Sequence, residues 1–423
     1  MESGEIKADV AVVGAGVIGV CVALELSSRG YEVVLLDRRG PAAGCSYGNA
    51  GFICPSHVVP LAAPGVIAKV LKWMGRPDSP FYLSPARVPA MAGWLLSFAR
   101  HCNPEHVRHS MRPLADLLMR SRALYDAFDE KVGGFGYERR GILKVFKTEK
   151  GFDEGRAEAA MVRETGQPTL EVDRVGLERL VPETPIEARG GILYPEDAHL
   201  DPAAFVRKAF SVLESRGVRT VNAVEVEGVR LAGGRAESLS ARGVSVRAKQ
   251  FVLAAGAWTV DLARRCGWRI ALVPAKGYSL TRPAPVGAPA LPLLLAEAKV
   301  AVTPMAGQLR YAGTLELAGF DERLDARRLG AIADAVPRYL PKLAPPQEAE
   351  TEKWCGFRPC TPDGLPLIGL LPGVENLYIA AGHAMIGMAA GPGTGLLLAQ
   401  LMAGKEPYTN TSAFDPARFC RRR

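Results

Sequence analysis

The sequence predicts an α/β fold of two interleaved units, one opening on a βαβ unit and the other of α+β character. Three observations predict it. Residues 8–37, ADVAVVGAGVIGVCVALELSSRGYEVVLLD, run from an apolar strand through a glycine turn and a helix-like stretch to a second apolar strand. A chain of 423 residues is too long for one simple core. The α/β pattern returns near 201 and again after 375, with a strand-rich, turn-punctuated stretch at 269–350 between.

In the first unit Gly14, Gly16 and Gly19 have the G-x-G-x-x-G spacing of a Rossmann-type turn, with Ala15, Val17 and Ile18 between them. The first glycine permits the tight turn, the second lets backbone approach a pyrophosphate, and the third packs helix against strand. The helix N-terminus adds free N–H groups and the positive end of a dipole, so the unit is read as an adenine dinucleotide site. Asp37, ending the second strand, stands near the position where an acid receives a ribose hydroxyl. Arg38 and Arg39 follow; with an acid at the ribose position they read as loop charges rather than partners of a 2′-phosphate, and Arg38 is counted with the site for its adjacency.

Composition is that of a globular enzyme. No apolar run reaches the ~18 residues that span a bilayer, and the opening MESGEIK lacks a basic region followed by an apolar core. The expected location is the cytoplasm or the cytoplasmic membrane face. Eight scattered cysteines contain no C-x-x-C pair, so neither a disulfide framework nor a metal site is expected. The net charge of +8 is spread rather than clustered, which argues against a nucleic-acid partner.

Residues 40–65, GPAAGCSYGNAGFICPSHVVPLAAPG, are too rich in Gly, Pro and small residues for a regular element. They read either as a continuation of the dinucleotide site, with Ser46 and Asn49 as side-chain donors, or as a connecting loop. GVIAKVLKWMG at 65–75, with Lys69, Lys72 and Trp73 beside Val66, Ile67, Val70 and Met74, and VPAMAGWLLSFAR at 88–100 make two apolar segments. A packed helix pair is the favoured reading and a membrane-surface helix the alternative. His101, His106 and His109 read as surface histidines. A helix is predicted from Pro113, its apolar face carrying Leu114, Leu117, Leu118, Tyr125 and Phe128. Strands at 141–147 and 191–194 and a helix at 154–165 follow. Pro202 opens a helix to about 216, strands are predicted at 217–229 and 244–254, and Ala255 and Gly256 then form a small-residue turn at a strand's carboxyl end, where open α/β sheets bind ligands. Strands at 275–281, 299–303 and 308–317 precede a helix at 325–335. The chain closes on TEKWCGFRPCTPDGLPLIG, a strand at 376–381 and a glycine-rich loop entering a helix.

Together GAGVIGV (14–20), SYGNAGF (46–52), HLDP (199–202), VLAAGAW (252–258), AKGYSL (275–280), GFRPCTPDGLPLIG (356–369) and AGHAMIG (381–387) resemble the FAD-dependent oxidoreductases of the D-amino-acid oxidase superfamily. The bacterial D-amino-acid dehydrogenases, D-hydroxyproline dehydrogenases among them, are the similar branch. The resemblance implies a glutathione-reductase-like FAD-binding domain with an inserted substrate domain on an antiparallel sheet. The implied division is 1–60, 196–268 and 352–423 for FAD binding and 61–195 and 269–351 for the substrate domain. It further implies that Gly14, Gly16 and Gly19 hold the pyrophosphate and Asp37 the ribose, that Ser46, Asn49, Ala50 and Gly51 form the loop beside the flavin, and that the Val224 backbone meets adenine. Ala255 and Gly256 would lie on the pyrophosphate side, and Gly382, His383, Ile386 and Gly387 under the pyrimidine edge.

By the same resemblance Arg358 clamps the substrate carboxylate, which suits a planar bidentate donor, with a structural ion pair as the alternative. Tyr278 is counted with the catalytic residues as a pocket tyrosine, with simple packing as the alternative. His383 reads as a loop-shaping or flavin-contacting group rather than a base. Some sarcosine-oxidase-like members attach flavin through a cysteine, but the spacing of Cys355 and Cys360 to Thr361 does not match, so FAD is expected to be noncovalent. The implied reaction is hydride transfer from Cα of a D-amino acid or cyclic imino acid to flavin N5, with electrons passing to a quinone or O₂. The rivals are a glycine- or sarcosine-type oxidase and, from the first motif alone, a nicotinamide dehydrogenase.

Overall fold

The computed structural model describes residues 4–73, 79–343 and 348–422. The first residues of MESGEIK, and Met74 at the end of the first amphipathic segment, lie outside the described residues.

The chain opens with β1 (Gly4–Val13), α1 (Val17–Ser28) and β2 (Val33–Leu36), then crosses to a long helix, α2 (Pro104–Lys131). It returns along β3 (Val244–Leu253) and crosses again through β4 (Val273–Pro283), β5 (Gln308–Leu317) and β6 (Glu352–Cys360). It finishes with β7 (Leu377–Ala381) and α3 (Gly387–Met402). β1 lies parallel between β2 and β3, with Val10 opposite Val33 and Gln250, and β7 extends the parallel set beside the last residues of β3. Both faces of such a sheet are covered, so β2 and the last four residues of β1, Val10 to Val13, read as unbroken apolar runs. α1 and α3 pack together on one face through Val17, Cys21, Ala390 and Leu397, all buried.

The second sheet has the order β6, β4, β5, Val300–Met305, Leu293–Leu295, Ile142–Phe146, Gly190–Tyr194, Leu170–Val172, with Phe81–Leu83 beside β5. Its pairings are antiparallel apart from Leu293–Leu295 with Ile142–Phe146 and Phe81–Leu83 with β5. One face is covered by the helix Ala326–Tyr339; the other looks toward the first sheet.

Three expectations need correction. The boundary expected at 352 falls at the first residue of β6, which is the edge strand of the second sheet, paired with β4 from Val273 opposite Cys360 to Thr281 opposite Glu352. The helix predicted from Pro113 begins at Pro104, because the Asn103 side chain accepts the His106 N–H at 2.8 Å and Pro104 supplies the preset first turn. Pro113 then sits inside α2, buried on its core face. The helices Val66–Trp73 and Val88–His101 are not a buried pair: the first has no buried residue and the second only Trp94, while Ile67, Leu71, Val88 and Leu96 are exposed. Among the described residues no helix is long and apolar enough to cross a membrane.

Candidate active site

A cleft of about 330 Å³ opens at the carboxyl ends of β1, β2 and β3, between the two sheets. Gly14, at φ +109°, turns the chain out of β1 and donates its N–H to Leu36 O at 2.8 Å; a Cβ there would stand 2.5 Å from Ala254 O. A Cβ on Gly19 would collide with Gly14 O. Gly16 is different: such an atom would meet only Ser46 Oγ, at 3.5 Å, so its surface is open to the cleft. Asp37 accepts the Ala15 N–H at 2.8 Å through one carboxylate oxygen and the Arg39 and Gly40 N–H groups through the other. It therefore braces the turn as well as lining the cleft. Ser46 Oγ accepts the Val17 N–H at 3.0 Å and so caps α1 from a distant loop.

Of the residues singled out from the sequence, the cleft is lined by Gly14, Gly16, Val17, Ile18, Asp37, Arg38, Ser46, Asn49, Val224, Ala255, Gly256, Arg358, His383 and Gly387. Ala15, Gly19, Gly382 and Ile386 support the lining without forming it. Gly382, at φ +81°, has no room for a side chain against Thr361, and Ile386 is buried at the start of α3. Ala50 and Gly51 lie against the second sheet, where Ala50 O accepts from Thr303 Oγ1 at 2.7 Å and Gly51 O from the Leu200 N–H at 3.0 Å. Arg38 is not a free loop charge: its guanidinium lies 4.1 Å from the Trp258 ring centre, a cation–π contact. Sequence reasoning missed Trp258, Phe357 and Cys45, which also line the cleft. Trp258 stands inside the quoted VLAAGAW motif and its aromatic character was the available signal.

His383 is buried; its Nε2 is 3.0 Å from Thr394 Oγ1 and its Nδ1 has no protein partner among the described residues. Burial pulls its pKa down to about 3, so the imidazole is neutral and is a poor choice for an acid near neutral pH.

At the opposite end stands Arg358. Its Nη1 donates to Thr314 O at 2.8 Å, and it has no carboxylate partner among the described residues, which removes the structural ion pair as its explanation. Thr314 has φ +64°, a left-handed conformation rare for a β-branched residue, at a bulge in the pairing of β5 with β4. Burial draws the Arg358 pKa below its ordinary value while the group remains cationic. A cation held at a cleft with donors to spare has the chemistry to receive a carboxylate.

Tyr278 is not at the cleft. Strand alternation turns it to the face packed under helix Ala326–Tyr339, where it is 1% exposed and donates to Glu316 Oε2 at 2.6 Å. Gly277, its neighbour, is the residue of β4 that faces Arg358. Among the described residues no cluster of His, Cys, Asp or Glu is arranged to hold a metal.

The glycine turn, Asp37 at the end of β2 and the two-sheet architecture define a dinucleotide-binding fold. The FAD dependent oxidoreductase family model (DAO) matches residues 9–401, and the chain belongs to that family. It is 33% identical over 418 residues to the D-amino acid dehydrogenase of Paramagnetospirillum magneticum, covering 97% of this chain and 98% of that protein. It is 32% identical over 417 residues to that of Granulibacter bethesdensis, covering 97% and 99%. Among solved structures, glycine oxidase from Geobacillus kaustophilus superposes with a TM-score of 0.79 at 23% identity over 98% of this chain and 99% of that one. L-proline dehydrogenase from P. horikoshii gives 0.75 at 19% over 98% of both. The protein is thus an FAD-dependent oxidoreductase. Its own residues fit that cofactor: the open surface of Gly16 at the α1 N-terminus suits a pyrophosphate, and the orphan Nδ1 of His383 offers a polar contact.

Proposed function

We propose that this chain oxidises a D-amino acid, as a dehydrogenase with noncovalent FAD, and that a cyclic imino acid such as D-hydroxyproline is within its substrate class. The single observation that carries the substrate class is Arg358, a guanidinium at the cleft whose one hydrogen bond among the described residues is to a backbone carbonyl. The relatives named D-amino acid dehydrogenase support the configuration and the dehydrogenase reading.

FAD, when bound, supplies the two-electron acceptor for oxidation at Cα. Gly14, Gly16 and Asp37 would hold its pyrophosphate and ribose, Val224 would meet its adenine, and Ser46, Asn49 and His383 would stand beside the remainder. Arg358 binds the carboxylate and so orients Cα; a fixed reactant needs no further encounter, and orientation of this kind lowers barriers substantially. The two aromatic walls, Trp258 and Phe357, keep water from the cofactor side. No side chain is assigned as a general base, since binding the neutral amine suffices. The product is an imino acid, which hydrolyses in water to the 2-oxo acid or leaves as a cyclic imine. The sheet division given above is proposed as FAD and substrate domains, with β6 moved to the latter. Exposed Ile67, Leu71, Val88 and Leu96 beside Lys69 and Lys72 support peripheral membrane contact and a quinone acceptor.

The test is anaerobic visible spectroscopy of the purified protein with a panel of D- and L-amino acids including cis-4-hydroxy-D-proline and sarcosine, followed by air. Bleaching by D-amino acids with slow return of colour is expected. Bleaching by L-amino acids only, or rapid recolouring in air, would replace this reading with an L-specific enzyme or an oxidase.

A further inference from the structure

We infer that Arg310 is a positioning residue for the loop at 45–51: from the second sheet it holds the loop in the course that puts Cys45, Ser46 and Asn49 on the cleft. The inference rests on the reading above, in which this loop stands beside FAD.

Arg310 is on β5 and only 4% exposed, with no carboxylate partner among the described residues. Three of its five N–H groups are spent on the loop and on one neighbour. Nη1 donates to Tyr47 O at 3.0 Å and to Asn49 O at 2.8 Å, and Nε to Thr281 Oγ1 at 2.9 Å. Thr303, on the adjacent strand, donates to Ala50 O at 2.7 Å. Three carbonyls of this seven-residue loop, those of Tyr47, Asn49 and Ala50, are thereby drawn to one sheet face. In a trans peptide the C=O and the following N–H point in opposite directions. Fixing the carbonyls of Tyr47 and Asn49 on the sheet therefore turns the N–H groups of Gly48 and Ala50 away from it. The same loop ends in Ser46 and Asn49, which line the cleft, and Gly48 is pressed so closely on the Trp354 ring that a side chain there would collide with it.

A buried cation coordinating only neutral oxygens is a costly arrangement, and one apolar side chain of the same length would fill the space. What the guanidinium adds is a planar group whose Nη1 holds two carbonyls of the loop while Nε is tied to Thr281 on the neighbouring strand. Charge contributes as well: Arg310 places a buried positive charge behind the loop.

The test compares wild-type, Arg310→Lys and Arg310→Met holoenzymes, with Thr303→Val as a milder variant that removes only the bond to Ala50 O. The readouts are bound FAD, the visible absorption spectrum, affinity for sulfite as a probe of the flavin, and kcat and KM for whichever amino acid reduces the wild type. Loss of this hold on the loop is expected to lower kcat roughly tenfold or more, the scale of a displaced group beside the reacting atoms. It should also weaken sulfite binding and shift the flavin bands, with FAD retained and KM changed less than threefold. Thr303→Val should move the same readouts in the same direction by less. Folded variants with wild-type spectrum, sulfite affinity and kcat would overturn the inference while leaving the proposed function intact. A wild-type protein whose FAD no amine reduces would overturn both.

Discussion

The Arg358 guanidinium and Gly277 share one volume: a Cβ on Gly277 of β4 would run into Nη1, Nη2 and Cζ of Arg358 on β6. The two strands pair in register, Ala275 opposite Arg358 and Gly277 opposite Gly356, so the long side chain folds back across the strand and needs that gap to reach Thr314 O. Gly277→Ala should therefore act like a mutation of Arg358. Losing a charge-assisted contact costs about 1.5–3 kcal/mol, so KM should rise roughly ten- to a hundredfold while FAD absorbance is kept. Arg358→Ala should raise KM at least as much. The double variant should be no worse than Arg358→Ala alone, since both remove one interaction. Additive losses in steady-state kinetics would mean the two residues act separately.

Tyr278→Phe provides the contrary case. It leaves the buried Glu316 carboxylate without its 2.6 Å donor, at a cost of about 1–3 kcal/mol in stability. Because Tyr278 faces the helix and not the cleft, kcat and KM should hold at wild-type values in the folded variant. A lowered melting temperature with unchanged kinetics is the expected pair of results; a large kcat loss would return Tyr278 to the active site.

Gly14→Ala should abolish FAD retention. Alanine at φ +109° is strained, and its Cβ would press on the carbonyl that ends β3. Gel filtration followed by absorbance at the flavin bands would show protein without cofactor, and a variant that keeps stoichiometric FAD would contradict the tight-turn account.

Asp197 makes stability depend on pH. It lies in the turn after strand Gly190–Tyr194 and accepts from Ser56 Oγ at 2.6 Å and Ser56 N–H at 3.0 Å. Burial pushes its carboxyl up to about 7 from an ordinary 3.8, against the downward pull of those two bonds. Between these values the folded chain holds a proton that the unfolded chain gives up. Stability from this group is therefore full below the lower value and falls as pH rises through about 7, with a slope of at most ~1.4 kcal/mol per pH unit. Asp197→Asn should flatten that part of a denaturation-midpoint curve taken from pH 4 to 8; an unchanged slope would assign it to other groups.

Legibility differed between the two halves of the site. The glycine turn, Asp37 and the helix behind them are contiguous, and each glycine has a separate local reason to be there, so the spacing alone located this end of the cleft. Arg358 was also readable, because a guanidinium in a quoted motif has few neutral uses. Tyr278 was not: strand period two is visible in AKGYSL, but which parity faces the cleft depends on the partners of β4, and those opposite Tyr278 are Gly313 and Cys355, on strands that only the fold brings beside it. Pro113 was misread for a local reason, since a proline that opens a helix and one tolerated inside it look alike until Asn103 is seen capping the earlier turn.

By itself the sequence determined the dinucleotide-binding unit, the α/β class and the family, because those rest on short-range geometry and on motifs in a set order. The tertiary structure decided what surrounds each motif: that Arg38 stacks on Trp258, that Ser46 caps a helix, that Arg310 holds the loop at 45–51, and that β6 belongs to the second sheet. These are contacts between residues far apart in the chain, and a side chain's partner there is set by packing and register, which no local spacing encodes.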